Sequence, residues 1–230
     1  MIRTHSDGDV RVITIDRPER KNALRPAELT ALTAAVQEAD ELVIYLHGAG
    51  DAFCAGADFE VVTSLSDPAA FARHGQRTAT ALAESDSVVV CGVDGAARGG
   101  GVELALAADV RVATPNATFA EPGVRFGLFG AWGGTARLPR VMGEGEALDF
   151  ALSGRVLDSD AALRTGLVSR VVDDPRAVAD EIADGKPDAL TAVKRRLRDR
   201  RGSDSQEAAE AEAFSMLVER HAARIADSRR

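Results

Sequence analysis

AARGGGVELALAAD (96–109) runs three consecutive glycines straight into an apolar helical pattern that carries one acid, Glu103. Glycine loses backbone entropy on folding and packs nothing, so three in a row mark a place where something must come close to the main chain. A helix N-terminus there offers unpaired N–H groups and the positive end of the peptide dipoles. Three ligands could use them: a dinucleotide, a nucleotide phosphate, or a carbonyl oxygen that becomes negative during a reaction. The dinucleotide fingerprint G-x-G-x-x-G fails, because counting from Gly99 its last glycine falls on Leu104. The Gly-Lys-Ser/Thr of a phosphate loop is absent. The remaining ligand, a carbonyl oxygen in an oxyanion hole, requires a second N–H donor from elsewhere in the chain.

FCAGADF (53–59) is the natural source of that donor. It too is a small-residue turn between a strand and a helix. Around the two loops the chain alternates strand, glycine loop and helix. VRVITID (10–16) alternates as a strand, LVIYLHG (42–48) and VVVCGVDG (88–95) are buried strands by their continuous apolar runs, and DVRVAT (109–114) follows the glycine helix as another. PAELTALTAAVQEAD (26–40) places Leu29, Leu32, Ala35 and Val36 on one helical face with Pro26 at its start. A helix is expected over 59–85, another over 144–154, and a last strand over 167–173. After Pro187 the pattern is helical only, so the chain divides into a core, 1–186, and a helical region, 187–230.

Composition bounds the rest. The 230 residues include 28 basic and 36 acidic side chains, a net charge of −8 that favours solubility and argues against a general nucleic-acid binder. The opening MIRTHSDGDVRVITID has no apolar segment of a secretory signal, and no apolar run approaches the ~18–20 residues of a membrane span. Two cysteines, Cys54 and Cys91, make no disulfide framework, and a reduced cytoplasmic setting is expected. Four scattered histidines, His5, His47, His74 and His221, lack metal-ligand spacing, so no metal site is expected.

IDRPERKNAL (15–24), GDAFCAGADF (50–59), GAARGGGVELALAADVRVA (95–113), GGTARLPRVMG (133–143) and SGRVLDSDAALRTGLVSRVV (153–172) stand in an order and spacing that resemble the crotonase superfamily, the enoyl-CoA hydratase/isomerase family. The resemblance implies an α/β fold, a spiral of ββα units followed by C-terminal helices that assemble homotrimers, often paired into hexamers. It implies an acyl-CoA thioester as substrate, with no cofactor beyond that coenzyme A. The thioester oxygen would lie between the backbone N–H groups of Ala57 and Gly100. Lys21, Ala23 and Leu24, then Ala55, Gly56, Asp58 and Phe59, then Gly99 and Gly101, would surround the substrate and its CoA portion. Gly123 and Trp132 are candidates for the acyl pocket.

Glu103 matches the first of two catalytic glutamates of the family's hydratases. It lies one turn beyond Gly100 in an apolar helix, where burial should raise its pKa toward the range useful for proton transfer. The second glutamate is missing. Family hydratases read approximately F-x-x-P-E-V-x-x-G, whereas FAEPGVRFG (119–127) puts Gly123 at that position, and Ala131 is apolar as well. Glu121 precedes it by two residues. A shift of two along an extended segment carries a side chain away from the same point, so Glu121 is expected to make a structural contact, with substitution for the missing acid as the alternative. Gly123→Glu is expected to restore hydration if the turn accepts a side chain and the glycine does not hold a positive φ. Asp58 is read as a helix cap, Arg98 as a phosphate contact or a surface arginine, and KRRLRDRR (194–201) as a solvated face or a stretch near the CoA phosphates. The function expected is an enoyl-CoA hydratase/isomerase with Glu103 as acid/base. The rivals are double-bond isomerisation by one carboxylate, thioester hydrolysis, and a non-catalytic acyl-CoA binder.

Overall fold

The computed structural model describes residues 1–227, which fall into two compact units, Met1–Ala183 and a second that begins at Asp184. The first opens with an antiparallel hairpin of β1 (Ile2–Asp7) and β2 (Val10–Ile15). β1 is a polar edge strand without apolar alternation, which is why the sequence pattern passes over it. Helix α1 (Pro26–Gln37) follows and buries Leu29, Leu32, Ala35 and Val36, the face expected. Each large aliphatic buried there contributes about 1.5–3 kcal/mol.

Three ββα-like units then repeat. The first is β3 (Val43–Gly48), β4 (Ala52–Cys54) and helices α2 (Phe59–Val62) and α3 (Pro68–Glu84). The second is β5 (Val88–Val93), β6 (Ala96–Arg98) and α4 (Gly100–Ala107). The third is β7 (Val110–Ala113), β8 (Thr118–Ala120) and a 3-10 turn, Pro122–Phe126. The helix expected over 59–85 is two helices, because Asp67 accepts the Ala70 N–H at 2.9 Å and Pro68 follows it, restarting the chain as a new capped helix.

α5 (Gly134–Met142), α6 (Glu144–Ser153), β9 (Leu157–Asp158), α7 (Ser159–Arg164), β10 (Arg170–Val171) and α8 (Pro175–Ala183) complete this unit. The last strand is thus two residues rather than seven. The first strand of each repeat joins a six-stranded sheet, order β1-β2-β3-β5-β7-β10, and the second joins a four-stranded sheet, order β4-β6-β8-β9. Apart from β1 and β9, the strands pair in parallel. β3 and β5 are buried along most of their length, which suits central strands of a parallel sheet covered on both faces. This is the α/β spiral of ββα units that the sequence leads one to expect.

The second unit consists of α9 (Pro187–Arg198) and α10 (Ser203–Asp227). Asp188 of α9 accepts from Arg220 at 2.9 Å and pairs with His221 at 3.0 Å on α10. In the basic stretch, Arg201 pairs with Asp199 at 2.6 Å and Arg196 lies 3.8 Å from it. Val193, Leu197, Phe214, Met216 and Ile225 are exposed on this unit. Among the described residues, no helix is long and apolar enough to cross a membrane, and no cluster of three or more His, Cys, Asp or Glu is placed to hold a metal ion.

Candidate active site

The four-stranded sheet gathers the site. β4, β6 and β8 are neighbours, and β6 runs parallel to both. Adjacent strands lie about 4.8 Å apart, so their C-terminal ends stand side by side. β4 ends at Cys54, shortly before Ala57; β6 ends at Arg98, just before Gly99 and Gly100; β8 ends at Ala120, next to Glu121. The Gly99 N–H donates to the Ala120 carbonyl at 3.0 Å, which ties the second end to the third.

In the loop after β4, three amides are committed. Ala55 donates to the Lys21 carbonyl at 2.9 Å and Asp58 to the Leu24 carbonyl at 2.9 Å. Gly56 donates to the Cys54 sulfur at 3.3 Å. The Ala57 N–H lies between them and takes no part in this ladder, in which Leu24 in turn donates to the Gly56 carbonyl at 2.8 Å. At the start of α4 the Gly100 N–H is likewise an orphan donor of a first helical turn. Gly56 holds φ +84°, and a Cβ there would lie 2.6 Å from the Arg98 carbonyl oxygen and 2.8 Å from the Gly100 nitrogen. Glycine at 56 is therefore what lets the two loops meet with the Gly100 amide uncovered.

Of the three glycines, Gly99 alone has both a positive φ, +49°, and open space where a Cβ would be. A Cβ at Gly100 would overlap the Trp132 indole, and one at Gly101 would overlap the Cys54 carbonyl. At Gly100 and Gly101 glycine is therefore required by packing, whereas at Gly99 it is the positive φ that requires it.

Glu103 lies one turn into α4 and is 1% exposed. Its Oε1 accepts the Trp132 N–H at 2.8 Å and the Gly134 N–H at 2.7 Å, while its Oε2 is buried without a hydrogen-bond partner. Burial pushes its pKa up; the two amides and the Arg137 charge pull the other way. The expected rise is present. A carboxylate held by one oxygen, with the other left unbonded, is set to take or give a proton in a fixed direction.

Glu121 departs from expectation. It makes no structural hydrogen bond: its Oε1 is buried without a partner. Burial, and then the neighbouring Glu103 charge, push its pKa up to about 8. The reason lies in the backbone. The segment is not extended past Glu121, which initiates the 3-10 turn and so turns out of the line of β8. Glu121 lines a cavity of about 40 Å³ with Val124, Phe129, Gly130, Gly134, Thr135, Leu138 and Ala151. Two of those walls press on the other carboxylate, since a Cβ at Gly130 would lie 2.7 Å from the Glu103 Cδ and one at Gly134 2.8 Å from its Oε1.

A folded-state value of about 8 against the ordinary 4.5 means that the native chain keeps a proton which the unfolded chain has released. That group's contribution to stability therefore falls as pH rises from about 4.5 to about 8, and stays low above that. The melting temperature of Glu121→Gln relative to wild type is expected to climb across this window. A difference independent of pH, measured by circular dichroism, would contradict the assignment.

Neither acyl-pocket candidate lines this cavity. Trp132 is a core residue, edge-on to Phe71 at 5.9 Å and seated on the space left by Gly75 and Gly100. Gly123 does not hold a positive φ. Its constraint is space: a Cβ there would lie 2.9 Å from both the Leu128 carbonyl oxygen and the Phe129 Cα, so the turn closes against backbone. Gly123→Glu thus meets an obstacle of a different kind from the one expected.

The remaining candidates are placed as follows. Leu24 and Ala23 are buried, and Leu24 bridges to Ala57. Lys21 holds φ +49° in the turn before them. Asp58 caps α2, accepting the Glu60 N–H at 3.1 Å, and its carboxylate is buried against Arg17 at 2.6 Å, which holds it below the usual range. Phe59 is exposed and stands edge-on to Phe126 at 5.4 Å. Arg98 is committed inward, donating to the Thr118 carbonyl at 2.7 Å and hydroxyl at 3.0 Å. Sequence reasoning missed Asn22. It is fully buried at φ +58°, accepts from the Arg17 N–H at 2.8 Å and donates to the Ala49 and Ala52 carbonyls at 2.8 and 2.7 Å. Asparagine tolerates left-handed backbone, and that was the available signal.

The family model described as enoyl-CoA hydratase/isomerase matches residues 5–225. A probable enoyl-CoA hydratase of Mycobacterium bovis is 37% identical over 175 residues, covering 74% of this chain and 68% of that one. The short-chain-enoyl-CoA hydratase of Clostridium acetobutylicum is 33% identical over 225 residues, covering 90% and 85%. The crystal structure of an enoyl-CoA hydratase from Thermoplasma volcanium matches with a TM-score of 0.88 at 32% identity, over 94% of this chain and 91% of that one.

Proposed function

Because the chain belongs to the enoyl-CoA hydratase/isomerase family, we propose that it hydrates a short-chain enoyl-CoA, holding the thioester carbonyl oxygen between the N–H groups of Ala57 and Gly100. The observation that carries this reading is the uncommitted Ala57 amide in a loop whose other amides are all bonded, set beside the orphan amide of Gly100. As water adds to the β-carbon, the double-bond electrons move to the α-carbon and carbonyl, and the oxygen becomes negative. Two fixed N–H donors stabilise that charge without reorganisation, and each is worth about 10²–10³ in rate. Glu103 is the acid/base, presenting the unbonded Oε2. The short-chain preference is taken from the printed activity of the Clostridium relative. The reaction so drawn uses no cofactor beyond the coenzyme A of its substrate.

The reading predicts that butyryl-CoA binds and free butyrate does not, because the CoA portion and the thioester carbonyl carry recognition. Isothermal titration calorimetry on the whole chain tests it; no binding of the thioester at millimolar concentration would sink it. The exposed apolar residues of Asp184–Arg230 support assembly into trimers or hexamers through that unit. Light scattering should give three or six copies, and a monomeric mass at micromolar concentration would refute the assembly.

A further inference from the structure

The cavity beside Glu103 contains a second carboxylate that the family pattern does not foresee. β8 delivers Glu121 to the end of the sheet next to Gly99, through the Gly99 N–H bond to Ala120, and so to the side of the oxyanion donors. The residue is 6% exposed, yet its Oε1 bonds to nothing. A buried polar group is ordinarily hydrogen-bonded, and one left unpaired at a concave site calls for a functional account. Glu103 leaves an oxygen in the same condition; of the residues lining the cavity, Gly134 donates its N–H to the other Glu103 oxygen at 2.7 Å, and a Cβ added at Gly130 would lie 2.7 Å from the Glu103 Cδ. A volume of about 40 Å³ admits two or three waters.

We propose that Glu121 is the second catalytic carboxylate of this site, giving the proton to the α-carbon while Glu103 takes one from the attacking water. The inference rests on the reading of the chain as an enoyl-CoA hydratase. The two environments divide the roles. Glu103 receives two amide N–H bonds that favour its ionised form, whereas Glu121 receives none on its buried oxygen and faces the Glu103 charge. Two like charges sharing a site leave one group neutral, and the neutral one here is Glu121. The other charged groups nearby are otherwise engaged: Arg137 acts on Glu103 and donates to the Trp132 carbonyl, Arg125 reaches the Ser153 carbonyl, and Arg155 pairs with Glu146 and Asp149.

The step balances without an outside reagent. Water oxygen bonds to the β-carbon and its proton passes to Glu103. The π electrons move onto the thioester, forming an enolate whose oxygen lies at Ala57 and Gly100. The enolate returns its pair to form the α-carbon–hydrogen bond with the Glu121 proton. Net transfer of the proton from Glu103 to Glu121 restores the starting state.

The test is Glu121→Gln, nearly identical in shape, in the full chain. Three readings are taken: hydration of crotonyl-CoA, exchange of the α-proton of butyryl-CoA in D2O, and calorimetric affinity for butyryl-CoA. Hydration should fall about 10²-fold, the usual scale for one proton-transfer group. Exchange should be lost, and affinity should stay within about threefold of wild type, which also certifies the fold. Glu121→Asp, which keeps the acid on a shorter stem, should recover part of the exchange. A merely structural residue would not single out α-proton exchange. If wild type hydrates crotonyl-CoA and Glu121→Gln matches it in hydration and exchange, the inference falls and the hydratase reading stands. If wild type neither binds nor hydrates the thioester, both fall together.

Discussion

Glu103→Gln is expected to lower hydration of crotonyl-CoA by about 10²–10⁴, the range for loss of a positioned acid/base, and to leave thioester affinity within about threefold. The split between rate and binding follows from which oxygen does what. Oε1 is held by the Trp132 and Gly134 amides at 2.8 and 2.7 Å, and a glutamine carbonyl oxygen accepts both bonds equally well. The glutamine NH2 then falls where Oε2 has no partner. The side chain keeps its position and loses only its capacity to carry a proton at the useful pH. The Ala57 and Gly100 amides are main chain and remain untouched, so the carbonyl is still bound. Steady-state kinetics with crotonyl-CoA, paired with calorimetry, measures both quantities. Hydration in the variant at the wild-type rate would exclude Glu103 from proton transfer.

The parts of this site that could be read from sequence are the ones coded by local rules. A glycine run before an apolar helix announces uncommitted amides, and an acid one turn in announces a buried carboxylate; Gly99, Gly100 and Glu103 are placed accordingly. Asp58 as a cap is equally local. What escaped depends on contacts between distant segments. β4, β6, β8 and β9 are two or three residues long, too short for a period-two pattern, and yet they are what lines up the ends of the loops. An extended chain would carry Glu121 away from the site, but the chain turns into a 3-10 segment at that residue. Gly123 holds no positive φ and instead yields to the carbonyl of Leu128, five residues on. Trp132 is an acyl-pocket candidate by sequence, but its seat is cut by Gly75, a helical glycine that no motif contains.

Gly101→Ala is the second change expected to have a large effect, and its sign is opposite to the one propensity gives. Gly101 lies in the first turn of α4 without a positive φ, where alanine is favoured by up to about 1 kcal/mol. Its missing Cβ, however, is where the Cys54 carbonyl oxygen sits, with the Cys54 carbonyl carbon and Cβ each 3.0 Å away. Those are largely main-chain atoms of the end of β4, fixed by pairing to β6 and by the bonds that clamp Ala55, Gly56 and Asp58. Backbone cannot swing aside as a flexible side chain can, so α4 and the loop must part. Overpacking of this kind costs about 1–3 kcal/mol, which exceeds the propensity gain over most of that range. The separation also moves the Gly100 amide away from Ala57, and a misplaced donor forfeits about 10²–10³ in rate. Gly145→Ala provides the contrast. It too is a glycine in the first turn of a helix, but with open space at its Cβ, and it should raise stability by about 0.4–1 kcal/mol with hydration unchanged. Urea unfolding and crotonyl-CoA hydration on the two variants measure the difference. A Gly101→Ala protein as stable and as fast as wild type would show that the two loops are not held in contact at this point, and with that the pairing of Ala57 and Gly100 around one oxygen would lose its structural basis.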